Sequence, residues 1–254
     1  MITALISRKG GVGKTTTSVN LAAALAAQGK RVLLVDLDSQ ASASLSLGVD
    51  RSALAPSSAD VLVGGMAAKD AVRATPVENL HLITASVDLL HAEADLGAFK
   101  SKEIRLKTYL APLARSYDFV FLDCPPSLSL LPLNAIVAAD SFIVPVVPQF
   151  LAATGVANLI RSAERQAWDH GTRLQPIGIL LTMVDYRSKN TRQTVDQLRR
   201  EHGPLVFAIE IRVNIRLAEA PGAGQTIFQF DPEATGATAY KLLAEEYLLR
   251  ADGG

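Results

Sequence analysis

Lys9, Gly10, Gly11, Val12, Gly13, Lys14, Thr15 and Thr16 follow directly on the apolar run Ile2 to Ile6. This order of residues suits a loop that holds the phosphates of a nucleotide. Glycines let the backbone curl with its N–H groups pointing inward, and a helix beginning at Thr15 adds its N-terminal dipole to the same anion site. Lys14 is placed to reach the β- and γ-phosphates, and the Thr15 hydroxyl to ligate Mg²⁺. The usual spacing of such a loop has a glycine five residues before the Gly13 position. Arg8 stands there instead, with a second lysine, Lys9, beside it. Lys14 already serves the phosphates of its own subunit, so Lys9 is available to neutralise a nucleotide held by a facing subunit.

Two further acidic positions belong to the same chemistry. Asp36-Leu37-Asp38-Ser39-Gln40 closes a second apolar run. Carboxylates two residues apart at a strand end can share a face, one organising Mg²⁺ and its waters and the other orienting the attacking water. Asp38 is assigned the water. An isolated pair of this kind reads more simply as two solvated turn residues, and its place after the second strand favours the phosphate role. Phe119-Val120-Phe121-Leu122-Asp123-Cys124-Pro125-Pro126-Ser127 supplies the third group, a hydrophobic strand whose terminal carboxylate holds Mg²⁺ directly or through water. Thr15, Asp36 and Asp123 are thus the expected metal-binding residues. Cys124 reads as a small packed side chain, since no histidine nearby would activate it.

These residues need a scaffold of alternating strands and helices. Short apolar runs predict strands over Ile2–Ser7, Arg31–Asp36, Leu80–Thr84, Asp118–Asp123, Ser141–Val146, Ile177–Val184 and Val206–Ile209. Helical patterns, three of them closed by Gly29, Gly171 and Gly203, predict Thr15–Gln28, Glu103–Ser116, Ala152–His170, Thr191–His202 and Pro232–Leu249. The alternation predicts an α/β fold, a doubly wound and mostly parallel sheet flanked by helices on both faces, with its ligand at the carboxyl ends of the strands. One domain of 254 residues is expected, with Asp50–Ser58 as its one loop-like stretch and a short glycine-ended tail.

Composition narrows the function classes. No apolar run approaches the roughly 18 residues of a membrane span, and the chain enters its first strand without a signal peptide. A single cysteine leaves no disulfide within the chain and suits a reducing compartment. The 25 basic and 25 acidic side chains cancel, so any contact with nucleic acid has to come from a local patch.

The loop Lys9–Thr16 resembles the deviant Walker A loop of the ParA/MinD ATPases, in which the extra lysine crosses a dimer interface onto the partner's nucleotide. Asp36–Gln40 resembles the D-x-D-P-Q box of ParA proteins, with Ser39 for the proline and Ala41-Ser42 for Gly-Asn. Asp123–Ser127 followed by Leu128–Asn134 is similar to the family's D-x-P-P-S-L stretch. Val144–Gly155 resembles its segment after strand five, with Gln149 and Thr154 where glutamates are common. Asn214–Pro221 and Phe230–Tyr240 are similar to the R-N-x-R-L-x-E-A-P and Y-D-P-x-S-x-G-A-x-A-Y stretches, with Val213 at the first arginine and Arg212 at a proline. The iron–sulfur reductases of the same superfamily need two cysteines per subunit, which this chain lacks.

The resemblance implies a Mg²⁺-dependent ATPase that sandwiches two ATP molecules in a homodimer, with Lys9, Lys14 and Asp38 as its catalytic residues. It implies an adenine pocket near Thr182, Met183, Arg212 and Val213. Met183 taken alone reads more readily as core. It also implies DNA binding in the ATP dimer through Arg187, Lys189, Arg192, Arg199, Arg200, Arg212 and Arg216. On the helical wheel Arg192, Arg199 and Arg200 are placed on a flank opposite Val195 and Leu198. Such contacts would go to DNA phosphates without regard to sequence. Slow turnover, stimulation by a ParB-like or other activator protein and by DNA, and a cytoplasmic, nucleoid-associated location follow from the same resemblance. The cargo, whether chromosome, plasmid or protein assembly, is left open. Two alternatives stand beside this reading. One is a MinD-like membrane-associated ATPase, against which Glu245 and Glu246 dominate the polar face of the last helix. The other is a small-molecule ATP-dependent ligase or amidotransferase of the same superfamily.

Overall fold

The computed structural model describes residues 1–127, 129–149 and 152–252. Leu128 and the side chain of Thr154, both part of the resemblance, lie outside the described residues, as does the Gly253-Gly254 tail. The described residues contain β1 (Ile2–Leu5), β2 (Val32–Asp36), β3 (Val72–Ala74), β4 (Leu80–Ile83), β5 (Phe119–Asp123), β6 (Ser141–Val146) and β7 (Gln175–Leu181). They form one sheet in the order β3-β4-β2-β5-β1-β6-β7. Every neighbouring pair is parallel except β3 with β4.

Side-chain alternation along the strands explains the layering. Leu33 and Val35 of β2 and Val120 and Leu122 of β5 enter one buried cluster, while Val32, Leu34, Phe119 and Phe121 enter the other. The second cluster is covered by helices Lys14–Ala27, Ser42–Ser46, Ile215–Glu219, Ile227–Phe230 and Thr235–Asp252. The first is covered by Ser58–Leu62, Leu89–Leu96, Arg105–Ala114, Leu130–Ala138, Ala152–Asp169 and Lys189–His202. With helices on both faces of a mostly parallel sheet, the fold is the doubly wound α/β class expected from the alternation of elements.

Two segments differ from the sequence expectation in whether they are strands. Val206–Ile209 is not a strand: it touches β7 through a single bridge between Ile179 and Val206. The amides of Ala208 and Ile209 donate to the Glu246 carboxylate at 2.8 and 3.0 Å, so the last helix takes the hydrogen bonds a ladder would need. Gly178 permits the close approach of this segment, because a Cβ there would collide with the Phe207 ring. Conversely, the three-residue β3 carries too little apolar pattern to announce itself. Its Arg73 guanidinium donates to the carbonyls of Ala53, Ala55 and Pro56, tying the preceding loop to the sheet edge.

Candidate nucleotide site

The loop after β1 curls where its glycines allow it. Gly11 and Gly13 have φ of 70° and 79°, the left-handed region that side-chain-bearing residues avoid. Gly13 leads straight into helix Lys14–Ala27, whose first N–H groups and positive dipole end face the concave side of the loop. Gly10 faces Pro126 of the segment after β5. Val12 is buried, and its carbonyl accepts a hydrogen bond from the Thr182 hydroxyl at 2.9 Å, which joins the loop to the end of β7.

Register brings the two strand-end carboxylates together. Asp36 of β2 pairs with Asp123 of β5, so alternation points both to the face that carries helix Lys14–Ala27. Thr15 Oγ1 donates to Asp123 Oδ2 at 2.7 Å and Ser18 Oγ donates to Asp123 Oδ1 at 2.8 Å. Thr15 and Ser18 lie three residues apart on one helix face, so one turn supplies both hydroxyls. Lys14 is buried, with 7% of its surface exposed, and its charge favours the ionised form of Asp123. Asp36 is held differently. Its Oδ2 accepts from the Ser44 amide at 2.9 Å and the Ser44 hydroxyl at 2.8 Å, and its Oδ1 accepts from the Asp38 amide at 3.1 Å.

Complete burial raises the carboxyl groups of both Asp36 and Asp123 above the ordinary range, and for Asp36 the nearby Asp123 charge raises it further, to about 7. The sign follows directly: the folded chain holds protons that the unfolded chain has released, so stability declines as pH rises from about 4 toward about 7. The nucleotide-free protein is expected to have a lower urea midpoint at about pH 7.5 than at about pH 5.5, and Asp36→Asn to flatten that difference. A midpoint that climbs across this interval would contradict the assignment.

Asp38 stands just past the strand, half-buried, with its Oδ1 accepting from the Gln40 amide at 3.0 Å. Its backbone is anchored to Asp36 while its carboxylate stays outside the buried hydrogen-bond cluster. Lys9 does not turn into its own loop. Its Nζ donates to Gln149 Oε1 at 2.5 Å on the surface, and its backbone is held by the Ser7 hydroxyl.

A cleft of about 220 Å³ opens beside Gly13. Thr182, Met183, Arg212 and Val213 all line it, together with Thr16. Met183 is not core: it is 43% exposed and has a φ of 50°, placing it at the surface of the cleft. Asn214, Leu217 and Tyr240 also line the cleft and escaped sequence reasoning, as did Ser18 and Ser44 at the carboxylates. Ser18 was findable from its spacing to Thr15. Ser44 carries no local signal, and Tyr240 closes the stretch Phe230–Tyr240 without any local sign of its place in the cleft.

The basic residues of the last third differ in how they are held. Arg199 lies four residues beyond Val195, hence on the margin of the buried face, and pairs with Glu210 at 2.6 Å while donating to the Phe207 carbonyl. Arg187 pairs with Asp185 at 2.7 Å, and Arg216 with Glu219 at 3.0 Å and Asp231 at 3.3 Å. Arg192 donates to the Tyr186 carbonyl, and Arg212 lies over the Tyr186 ring. Lys189 and Arg200 are exposed at opposite ends of helix Lys189–His202.

Known proteins share both the sequence and the fold of this chain. A family model described as an AAA domain matches residues 1–174. The chromosome-partitioning ATPase Soj of Thermus thermophilus is 45% identical, over 97% of this chain and 95% of that protein. The sporulation initiation inhibitor protein Soj of Bacillus subtilis is 41% identical, over 96% of this chain and 97% of that protein. Among solved structures, a cobyrinic acid a,c-diamide synthase from Mycobacterium smegmatis, with a bound ATP analogue and magnesium, superposes with a TM-score of 0.80. It is 34% identical and covers 99% of this chain and 95% of its own. Matched by these relatives over nearly its entire length, the chain belongs to the ParA/Soj family of P-loop ATPases within the ParA/MinD superfamily.

Proposed function

We propose that this chain is one ParA-type ATPase domain that binds ATP with Mg²⁺, dimerises around two ATP molecules, binds duplex DNA without sequence preference in that state, and leaves it on hydrolysis. Its use would be partition: moving or positioning a chromosome, plasmid or protein cargo over the nucleoid in the cytoplasm, under control of a ParB-like or other activator protein. The observation that carries the reading is the opposite disposition of the two loop lysines. Lys14 is buried beside Asp123, while Lys9 is exposed and turned away from its own loop. This disposition supports a role for Lys14 on the nucleotide in cis and for Lys9 on a nucleotide in trans.

The residues fit Mg²⁺ and ATP. Gly10, Gly11, Val12, Gly13, Lys14, Thr15 and Thr16 would cradle the phosphates, and Thr15 Oγ1 and Asp123 Oδ2 offer adjacent hard oxygens. Among the described residues no group of three His, Cys, Asp or Glu could hold a metal by itself. This suits a cation that takes most of its ligands from nucleotide phosphates and water. Bound there, the ion would neutralise charge on the transferring phosphoryl group. Asp36, which already accepts three hydrogen bonds from Ser44 and Asp38, would act on the metal's water shell and hold the segment that carries Asp38. Asp38 would accept a hydrogen bond from the attacking water. The base would enter the cleft of Thr182, Met183, Arg212 and Val213. Turnover would stay slow until a partner or DNA settles the Asp38 segment.

For DNA, the exposed Lys189 and Arg200, with Arg187, Arg192, Arg212 and Arg216 after exchange of their internal partners, would contact phosphates. Arg199, committed to Glu210, would support the patch from behind. Retention of nonspecific duplex is expected with ATP and not with ADP or without nucleotide, weakening about 0.9 decade per decade of salt for each phosphate neutralised. Binding that ignores nucleotide would sink the switch. The likeness to a cobyrinic acid a,c-diamide synthase keeps a small-molecule ATP-dependent ligase or amidotransferase as the second reading, and failure of ATP-dependent DNA binding would favour it. No helix among the described residues is long and apolar enough to cross a membrane. A MinD-like surface attachment would show as ATP-dependent binding to anionic vesicles in the same experiment.

A further inference from the structure

Lys9 and Gln149 are 140 residues apart in sequence and meet because β1 and β6 are parallel neighbours whose carboxyl ends open on the same side. Both line a cleft of about 260 Å³ whose walls include Val144, Val146, Val156 and Leu159. The ammonium of Lys9 donates to Gln149 Oε1 at 2.5 Å, and the Ser7 hydroxyl accepts from the Lys9 amide and donates to the Lys9 carbonyl, each at 3.1 Å. Backbone and side chain are therefore both held in cis, with the amine directed away from the phosphate loop of its own subunit.

We propose that Gln149 is a positioning residue that parks the Lys9 ammonium within its own subunit, so that nucleotide-dependent dimerisation is opposed until this contact breaks. The inference rests on the reading of Lys9 as a residue that crosses to a facing subunit. A side chain held in one state must leave it before serving in another, and the apparent affinity falls by the fraction of molecules that are ready. A neutral amide makes the parking weak and easily reversed. A carboxylate at the same position would add a full charge to the bond.

The test uses the full chain with ATPγS, following the monomer–dimer constant by sedimentation, and the Lys9 ammonium by ¹⁵N NMR in the nucleotide-free monomer. Gln149→Ala is expected to tighten dimerisation about five-fold, as loss of an ordinary hydrogen bond would. Gln149→Glu is expected to weaken it by at least about as much, and that weakening should shrink as salt screens the new pair. In the monomer, Gln149→Ala should mobilise the Lys9 ammonium signal and Gln149→Glu should sharpen it. Shifts of dimerisation in the same direction for both variants, or an ammonium signal indifferent to Gln149, would overturn the proposal. A wild-type chain that stays monomeric with ATPγS would remove the dimer switch itself, and the monomer spectrum would then decide the parking contact separately.

Discussion

Replacing Asp38 with alanine is expected to lower steady-state ATP turnover by about 10²- to 10⁴-fold, the range that a positioned acid–base group contributes, and to leave the ATP dimer on DNA. Asp38 is the acidic residue of the site whose carboxylate is neither fully buried nor engaged by a serine. Its amide donates to Asp36 Oδ1, so the backbone is fixed relative to the two strand-ending carboxylates while its own carboxylate can turn toward a water. The substitution removes one surface-edge hydrogen bond to the Gln40 amide and no core packing, so folded stability should change by no more than about 1 kcal/mol. Turnover and urea unfolding measured on the same preparation separate the two effects. An unchanged turnover rate would remove Asp38 from the hydrolytic step.

Lys14→Ala is expected to abolish measurable nucleotide binding. A buried cation paired with phosphate is worth about 2 to 5 kcal/mol when truncated, which is a loss of about 30-fold or more in affinity. The variant also strips Asp123 of the cation that favours its ionised form, leaving a buried carboxyl without a compensating charge. The carboxyl would then protonate more readily, which weakens the hard oxygen available to Mg²⁺. Titration of a fluorescent ATP analogue with and without Mg²⁺ checks both consequences: affinity should collapse, and the Mg²⁺ dependence that remains should move to higher pH. Full affinity in Lys14→Ala would mean that the phosphates sit elsewhere.

Much of the fold was legible because its signals are local. Apolar runs such as Phe119–Leu122, covered on both faces, announced their strands, and β6 has the predicted ends Ser141 and Val146. β7 begins and ends earlier than the apolar run suggested, since Pro176 is tolerated at the start of an edge strand and Thr182 turns inward to bind the Val12 carbonyl. Val206–Ile209 read as a strand because it is apolar, and periodicity carries no information about the Glu246 carboxylate that takes its amides. The short helices Ser42–Ser46 and Ile215–Glu219 went unannounced because one turn is too brief to show a period. Arg199 was assigned to a solvent flank from a wheel that ignores how far the neighbouring Glu210 segment reaches over it.

The sequence alone determined the phosphate loop, its extra lysine and the two strand-ending aspartates, because their chemistry depends on residue type and on spacings of a few positions. Glycine's access to positive φ and the alternation of side chains along a strand act over the same short range. The tertiary structure decided what those groups touch. The pairing of Asp36 with Asp123 depends on strand order, and the hold of Ser44 on Asp36 depends on how the chain folds back after β2. The cleft beside Gly13 draws Gly13, Thr182, Val213 and Tyr240 from four distant stretches. Lys9 meets Gln149 only because β6 lies beside β1. Such contacts are set by register and layer packing, which join segments far apart in the chain, and no local pattern encodes the partner across that distance.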